Sequence, residues 1–174
     1  YNNTVSGKIV LSEGVGVILM ASLKGSELIE LEFTKGTGGN AISVAGSAKY
    51  FNIFSVSERH FDISNNYESY VINFCSEDLM LAERYRVSKS YVGKKISEIA
   101  DDILRNKLKV NTKKLPAECI EETKGITSII VPNFKPLEAL NWLSTMAISN
   151  KQYTVGASYL FYENKNGYNF HPLL

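Results

Sequence analysis

The chain is poor in the residues that most metal sites and disulfide frameworks need. Among its 174 residues are two cysteines and two histidines. Cys75 and Cys119 lie in neither a C-x-x-C nor a metal-ligand spacing, so the sequence predicts no thiol redox motif and no zinc site. We expect both to be buried free thiols, because Cys75 falls inside an apolar strand pattern and free cysteine packs as a small hydrophobic residue. A disulfide is the alternative.

Signatures of catalysis are also missing. His60 and Asp62 form half of a possible site, but no third ligand motif points to them, and His171 stands alone near the end of the chain. Glu121 and Glu122 are adjacent in a predicted loop, where neighbouring carboxylates usually face apart. No G-x-S-x-G nucleophile elbow occurs. The sequence therefore predicts no enzyme activity, no cofactor and no metal.

Long apolar runs are absent as well. The most apolar run, VGVILMASL, is far shorter than the about 20 residues of a membrane-spanning helix. YNNTVSGK, at the N-terminus, lacks the basic region and apolar core of a signal peptide. With 44% hydrophobic and 21% charged residues the composition is that of a globular protein. We expect a soluble chain of one large or two small domains.

The net charge of +1 conceals a division along the chain. Residues 1–83 carry a net charge of −5, residues 84–114 carry +7, and residues 115–174 carry −1. The basic segment, 84–114, raises nucleic acid as a possible partner. No recognition helix or RNA-binding aromatic motif accompanies the charge, so base readout has no support. A solvated helix with its flanking loops is the simpler interpretation.

The first part of the chain has the pattern of β-strands. Five runs rich in Val, Ile, Phe and Tyr are separated by Gly, Ser and Asn: GKIVLSE, VGVILMASL, ELIELEFT, KYFNIFSVSER and NYESYVINFCS. They predict a small antiparallel barrel or sandwich. In ELIELEF, Leu28 and the two glutamates fall on one face, whereas Ile29, Leu31 and Phe33 fall on the other, which suits a sheet with one buried face. The glycine-rich loop TKGTGGN, residues 34–40, lacks phosphate-loop spacing and is expected to be a flexible hairpin loop.

Helical patterns appear from residue 76 onward. SEDLMLAERY predicts one or two helical turns, with Ser76 as the cap and Asp78 in the first turn. The clearest helix follows, with one apolar face formed by Ile96, Ile99, Ala100, Ile103, Leu104 and Leu108. Asp101 and Asp102 diverge by about 100° on such a helix, so they are expected to be surface charges. We place a domain boundary between residues 1–88 and 89–174.

The last stretch, from Gly125 to Leu174, predicts a strand, a helix and a hairpin. GITSIIVP indicates a buried strand that ends at Pro132. Pro136 suits the first turn of the next helix, whose apolar stripe comprises Leu137, Leu140, Leu143 and Ala147. SYLFYENKNGYNFHPL predicts a hairpin with a turn that ends in Asn166-Gly167. Its aromatic residues could stack on a carbohydrate or a base, but packing in a core is the favoured interpretation.

Trp142 lies beside the apolar stripe of that last helix. We expect it to help Leu143 bury the helix against the sheet. Removing a buried tryptophan would cost about 3–5 kcal/mol.

These last elements also resemble a known family. An IIVPNF strand, a helix containing LNWL and a hairpin ending YLFYENKNGYNF, preceded by RVSKSYVGKKISEIADDIL, resemble the baseplate hub proteins of contractile-tailed, T-even-like phages. Late-control D proteins and the spike proteins of type VI secretion are related to them. The resemblance covers the chain from about Asn66 to its end and is looser before that.

The resemblance implies a mixed α+β fold, mainly β. Residues 1–88 would form a tube-like split β-barrel, and residues 89–174 a smaller α+β domain with two helices and a C-terminal hairpin. Its function would be that of a virion structural protein, joining tail tube and central spike as a homo-oligomeric ring, which we expect to be a trimer. It would be assembled in the host cytoplasm and contact tube, spike and baseplate proteins. The alternative is a free-standing barrel that binds an oligosaccharide or nucleic acid.

Overall fold

The computed structural model of the protein describes residues 3–21, 23–33, 42–43, 50–64, 66–116, 118–151, 159–164 and 166–173. Its strands are β1 (Ser6–Glu13), β2 (Leu28–Glu30), β3 (Glu32–Phe33), β4 (Ile42–Ser43), β5 (Tyr50–Asp62), β6 (Tyr67–Cys75), β7 (Val87–Lys94), β8 (Thr127–Phe134), β9 (Tyr159–Asn164) and β10 (Gly167–Pro172). Its helices are α1 (Val17–Ala21), α2 (Glu77–Arg84), α3 (Ile96–Asp102) and α4 (Pro136–Met146). A π-helical turn at Ile103–Lys107 and a 3-10 turn at Thr112–Lys114 complete the described elements.

A four-stranded antiparallel sheet dominates the first part, in the order β1-β6-β5-β2. Strand β5 has two irregularities, one between Ile53 and Ser55 and one between Ser57 and His60. Glu58, inside the second, has a left-handed backbone with φ 51°. Extra residues of this kind bend a strand and increase its twist, and the sheet is partly curled. The predicted mainly β, antiparallel first part is confirmed at this level.

One face of the curled sheet carries a small apolar core. Ile53, Tyr70 and Ile72 pack there with Ile18 of α1. Beside them the rings of Phe51 and Phe74 meet edge to face, with centroids 5.3 Å apart. Two clusters this small bury little surface, so the first part depends on few side chains.

The alternation predicted for ELIELEF is confirmed where side chains are described. Ile29 and Leu31 contact the core around Phe51, whereas Leu28 and Glu30 are exposed. The run forms two short strands, β2 and β3, instead of one, and the break falls at Leu31.

The strand predicted for VGVILMASL was wrong, because part of this run forms helix α1. The carboxylate of Glu13 accepts hydrogen bonds from the backbone N–H groups of Val15, at 3.1 Å, and Val17, at 2.6 Å. A carboxylate on these free N–H groups stabilises a helix start. Ile18 then turns into the core, while Met20 stays 72% exposed. Local capping thus outweighs the strand propensity of the run.

A larger apolar core holds the second part together. It is built by α3, α4, β7, β8 and the hairpin of β9 and β10, and α2 joins it through Ala82. All six residues predicted for the apolar face of the first long helix are buried, and so are Leu137, Leu140, Leu143 and Ala147. The core therefore begins at α2, inside the range 1–88 that was assigned to the first domain. Whether the two parts are separate domains stays a prediction.

Helix boundaries follow the predicted signals. Ser76 occupies the N-cap position of α2, although its side chain makes no capping hydrogen bond, and Asp78 lies in the first turn. Pro136 begins α4, where Glu138 closes a capping box with the backbone N–H of Lys135 at 3.2 Å. The missing N–H of a first-turn proline breaks no helical hydrogen bond.

Strand β8 differs from its prediction in two ways. It continues to Phe134 and so runs through Pro132. Pairing with β7 is irregular between Val131 and Phe134. Among the residues that the structure describes, β7 and β8 form a sheet of two strands, so a residue without an N–H is tolerated. The strand is also only half buried, because Ile130 is 69% exposed.

The C-terminal hairpin is confirmed, with a shift at its turn. Gly167 pairs with Asn164 and therefore belongs to β10.

None of the described helices is long and apolar enough to cross a membrane.

Trp142 is partly buried, and its ring meets that of Phe134 edge to face, with centroids 5.5 Å apart. Leu143, the next residue, is fully buried. We therefore expect Leu143→Ala to lower the free energy of unfolding by about 2–5 kcal/mol and Trp142→Ala by only about 1–3 kcal/mol, below the value for a buried tryptophan.

Denaturant unfolding measures both losses. Thr145→Ala, on an exposed face of the same helix, is the control and should change stability by less than about 0.5 kcal/mol. A loss for Trp142→Ala as large as that for Leu143→Ala would contradict the expected difference.

Candidate functional site

A buried charge cluster joins Asp78, Lys114 and Glu163. The ammonium Nζ of Lys114 lies 2.7 Å from Oδ2 of Asp78 and 3.2 Å from Oε1 of Glu163. The three side chains are 7%, 8% and 0% exposed, in the order Lys114, Asp78 and Glu163. One cation thus faces two carboxylates in the interior of the protein.

Separate elements supply the members of this buried charge cluster. Asp78 comes from the first turn of α2, Lys114 from the end of the 3-10 turn, and Glu163 from β9. Tyr168 of β10 donates its hydroxyl to Asp78 Oδ2 at 3.2 Å. The backbone N–H of Val5 donates to Glu163 Oε2 at 2.8 Å. The cluster therefore connects the start of the chain to α2 and to the hairpin.

Electrostatics explain why Lys114 keeps its charge. Burial by itself lowers the pKa of Lys114, but Glu163 and Asp78 outweigh burial, and the pKa lies above its ordinary value. Burial is also the main cause that raises the pKa of Tyr168, followed by the same two carboxylates. Tyr168 is therefore a hydrogen-bond donor in this cluster at all physiological pH values.

Gly167 lets the hairpin approach Lys114 closely. Its φ is +115°, and a Cβ at this position would lie 2.2 Å from the carbonyl oxygen of Lys114. Only a residue without a side chain fits there.

A second polar group lies in a cleft of about 380 Å³ between β7 and α3. Asp102 Oδ2 accepts from the hydroxyl of Tyr91 at 2.6 Å and from Nζ of Lys89 at 2.8 Å, and Oδ1 accepts from Asn106 at 2.8 Å. Burial alone would raise the pKa of Asp102, but these donors lower it to about 2. Burial and the bond to Asp102 raise the pKa of Tyr91.

The prediction that Asp101 and Asp102 are both surface charges is confirmed for Asp101 only. Asp101 pairs with Arg105 one helical turn away, at 2.6 Å, and both are exposed. Asp102 is largely enclosed, because its helix position turns it toward β7. The two carboxylates point to different partners, as their spacing on a helix predicted.

The histidines and their neighbours lie apart from each other. His60 is exposed on β5, and Asp62 accepts from the backbone N–H of Ser64 at 3.0 Å. His171 Nδ1 lies 3.8 Å from Oε2 of Glu121. Within the described ranges, no three side chains of His, Cys, Asp or Glu are grouped so that they could hold a metal ion.

Glu121 and Glu122 face different partners, as expected for adjacent carboxylates. Glu121 accepts from Ser149 at 3.2 Å and from Lys151 at 2.7 Å. Glu122 pairs with Lys95. They do not converge on a common reactant, so this pair has no geometry for glycoside hydrolysis.

The basic segment 84–114 is less basic at its surface than its composition indicates. Lys89, Lys95 and Arg105 each pair with a carboxylate, and Lys114 is buried. The interpretation as a solvated face is therefore wrong for Lys114, which satisfies buried acids instead. Pairing reduces the positive potential available to a phosphate backbone.

The hairpin aromatics form part of the core, as the favoured interpretation predicted. Tyr159, Phe161, Tyr168 and Phe170 are buried, and only Tyr162 is exposed. The centroids of Tyr159 and Phe170 lie 5.1 Å apart, and those of the stacked pair Phe161 and Tyr168 lie 5.5 Å apart. The four buried rings cannot serve as a stacking platform for a ligand.

Cys75 and Cys119 are buried and free, as expected, and burial raises the pKa of each thiol.

The loop TKGTGGN, residues 34–40, lies outside the described residues.

The buried charge cluster was missed by sequence reasoning. One signal was available, because strict alternation places Glu163 on the same strand face as Tyr159 and Phe161, which both point inward. A glutamate on a buried strand face requires a partner. Nothing local identified Lys114 as that partner, since it lies 49 residues away.

Comparisons with protein-family models, curated proteins and solved structures give no match for this chain. The resemblance to baseplate hubs thus stays a hypothesis carried by the motifs quoted above.

The carboxylate of Asp102 predicts an acid-sensitive contribution to stability. Its pKa falls from an ordinary 3.8 to about 2 in the folded protein, so the charged form stabilises the fold above about pH 4, and this stabilisation is lost as the pH falls toward 2. We expect it to amount to about 2 kcal/mol.

Urea unfolding at a series of pH values measures this contribution. The difference in unfolding free energy between the unchanged protein and Asp102→Asn should shrink by about 2 kcal/mol from pH 5 to pH 2. Asp101→Asn is the control and should show little such change, because its exposed pair is worth about 0.3–0.5 kcal/mol. An equal pH dependence for both variants would refute the assignment.

Gly167→Ala should destabilise the protein by more than about 3 kcal/mol, since it combines a positive φ with a backbone clash. Gly93→Ala is the matched control: its φ is +61°, but no atom lies within 4 Å of the added Cβ. It should cost about 1 kcal/mol. Thermal unfolding of the two variants tests the clash. Equal losses of stability would show that the hairpin does not pack closely against the carbonyl of Lys114.

Proposed function

We propose that the protein is a structural subunit of a phage-like contractile tail, a baseplate hub that joins the tail tube to the central spike. In this proposal the curled sheet is part of a tube-like split β-barrel, and the strand, helix and hairpin after it form the smaller hub domain. The order of elements supports the proposal, since β8, α4, β9 and β10 follow one another as the resemblance implies. No enzymatic activity is proposed.

The observation that carries the proposal is the open edge of the curled sheet. Strand β1 pairs with β6 on one side and has no strand on its other side among the described residues. The outer edge of such a strand presents backbone N–H and C=O groups with which a further strand can pair. Natural proteins cover or blunt long edges, so a partner chain that completes the sheet is the natural occupant.

Exposed apolar side chains occur on β1 and in the run that follows it in the sequence. Val10 of β1 is 67% exposed, and the residues that follow β1 include Val15, Val17 and Met20, all exposed. Three apolar side chains of the most apolar run of the chain thus contribute to the surface. Exposed apolar groups of this kind mark interaction sites when they are contiguous.

Charge gives the contact a direction. The first part is acidic, and the segment 84–114 keeps exposed basic residues such as Arg84, Lys94 and Lys107, so the sheet of one copy can meet the second part of the next copy head to tail. Head-to-tail contacts form a ring when the rotation between neighbouring copies closes, and we propose a closed trimer. Ion pairs at the rim would guide the register, and apolar residues of the edge would supply most of the affinity.

The proposal places the protein in the virion, at the tail baseplate, after assembly in the host cytoplasm. Its partners would be further copies of itself and the tube, spike and baseplate proteins. The alternative is a free-standing barrel that binds an oligosaccharide or nucleic acid, mainly through the basic segment. A nucleic-acid complex would weaken steeply with rising salt, which gives a simple way to recognise it.

Light scattering of the full-length protein at low and high salt tests the assembly. We expect a trimer that persists at high salt, because apolar contacts are not screened. Val10→Lys should shift the particles toward monomer, since a lysine on an edge strand blocks pairing with a second strand.

Ile63→Lys is the matched control, because Ile63 is also exposed, at 84%, but lies beyond the end of β5. It should leave the particle mass unchanged. A full-length protein that stays monomeric at high concentration, with no ring in isolated tails, would contradict the hub proposal and favour the binding module.

A further inference from the structure

The buried charge cluster has the parts of a condensation reaction. Nζ of Lys114 lies 2.7 Å from Oδ2 of Asp78 and is therefore next to the carboxyl carbon that carries this oxygen. Oε1 of Glu163 lies 3.2 Å from the same nitrogen. Groups held at about 3–3.5 Å behave as if present at very high concentration, which favours reactions that are too slow between free molecules.

We propose that Lys114 and Asp78 join through an amide bond after the chain folds, and that Glu163 transfers the proton in this reaction. The inference concerns a modification within one chain and does not depend on the proposed function.

The step balances without a further reactant. The ion pair first exchanges a proton: Nζ gives it to Oδ2 of Asp78, which leaves an amine on Lys114 and a carboxylic acid on Asp78. Nζ attacks Cγ of Asp78, and the carboxylate of Glu163 takes a proton from Nζ. Glu163 then returns this proton to the hydroxyl formed by Oδ2, the bond between Cγ and Oδ2 breaks, and Oδ2 leaves as one water molecule while Oδ1 becomes the carbonyl oxygen of the amide. Nothing is oxidised or reduced.

Tyr168 is placed to assist the departure of water. Its hydroxyl donates to Oδ2 of Asp78 at 3.2 Å, and this is the oxygen that leaves. A donor fixed in a buried site stabilises the negative charge that develops on a leaving oxygen far more than water does. The buried hydroxyl of Ser76 also lies beside the hydroxyl of Tyr168, so a second polar group borders the site of the departing water.

The pair of Lys114 and Asp78 is buried, and this distinguishes it from the ion pairs at the surface of the protein. Removal from water penalises the charged forms of the amine and the carboxylate and so gives access to the neutral forms that react. The pairs of Lys95 with Glu122 and of Lys135 with Glu83 are partly exposed and stay hydrated. Because the two carboxylates hold the pKa of Lys114 above its ordinary value, the amine is a minor species and the bond forms slowly.

The backbone around Lys114 holds the nucleophile in place. The backbone N–H of Lys114 donates to the carbonyl of Asn111 at 2.8 Å, and Gly167 packs against the carbonyl of Lys114. Asp78 is held in the first turn of α2. The bond would tie α2 to the 3-10 turn across the largest core of the protein.

Intact mass spectrometry of the denatured full-length protein tests the inference. After incubation of the folded protein, we expect the mass to fall by one water. Tryptic digestion should no longer cleave after Lys114 and should release one branched peptide that contains both Lys114 and Asp78. A mass that stays unchanged after prolonged incubation would overturn the proposal.

Variants assign the roles of the residues. Lys114→Arg keeps the positive charge but has no amine of comparable nucleophilicity, and it should show no loss of water. Glu163→Gln should slow the loss by about a hundredfold, the usual scale of a proton-transfer group. Lys135→Arg, in an exposed pair, is the control and should react like the unchanged protein. A loss of water that persists in Lys114→Arg would contradict the proposal.

One further variant covers the case in which Glu163→Gln does not fold. Asp78→Asn presents the same carbonyl carbon with an amide leaving group, so the proposed bond would form with loss of ammonia instead of water. Circular dichroism confirms folding before the mass is measured. Loss of ammonia with a branched peptide at Lys114 supports the inference, and its absence in a folded Asp78→Asn variant counts against it.

Discussion

The need to compensate the charge of Lys114 in the interior constrains the rest of the structure. An ammonium group without a partner in such a place costs several kcal/mol, so Asp78 and Glu163 must stay within hydrogen-bond distance. This requirement fixes α2, the 3-10 turn and the hairpin relative to one another. Glu163 also binds the backbone N–H of Val5, and its own N–H donates to the carbonyl of Asn3 at 2.9 Å. The segment that leads into β1 is thereby attached to the second part of the chain.

Apolar packing is distributed unevenly around this cluster. The second part has one large core, which α3, α4 and the hairpin share. The curled sheet has two small clusters and one short covering helix, of which Ile18 contributes to the core. Much of the apolar surface of β1 and of the run after it therefore faces outward. A sheet with so thin a cover gains more from contact with another chain than a sheet that is covered on its own.

Charge and aromatic content illustrate why composition is a weak guide to function in this protein. The basic segment 84–114 suggested a surface for phosphate groups, yet Lys89 and Lys114 are used to satisfy enclosed carboxylates. The hairpin rings could by their type have formed a stacking platform, yet Phe161 and Tyr168 stack on each other in the core, as the favoured interpretation predicted. In both cases residues that could bind a ligand are used to stabilise the fold.

Periodicity in the sequence was sufficient to predict strands β1, β5 and β6, helices α3 and α4 and the hairpin, because a buried face repeats every two residues in a strand and every three to four in a helix. The apolar face from Ile96 to Leu108 and the inward rings of β9 follow from this repetition. Only the tertiary structure decided the other features. Helix α1 depends on a carboxylate from β1, the strand through Pro132 depends on an open sheet edge, and Asp78 meets Lys114 across 36 residues and Tyr168 across 90. Such pairings depend on which elements pack together, and a local pattern shows which face is buried but not what lies against it.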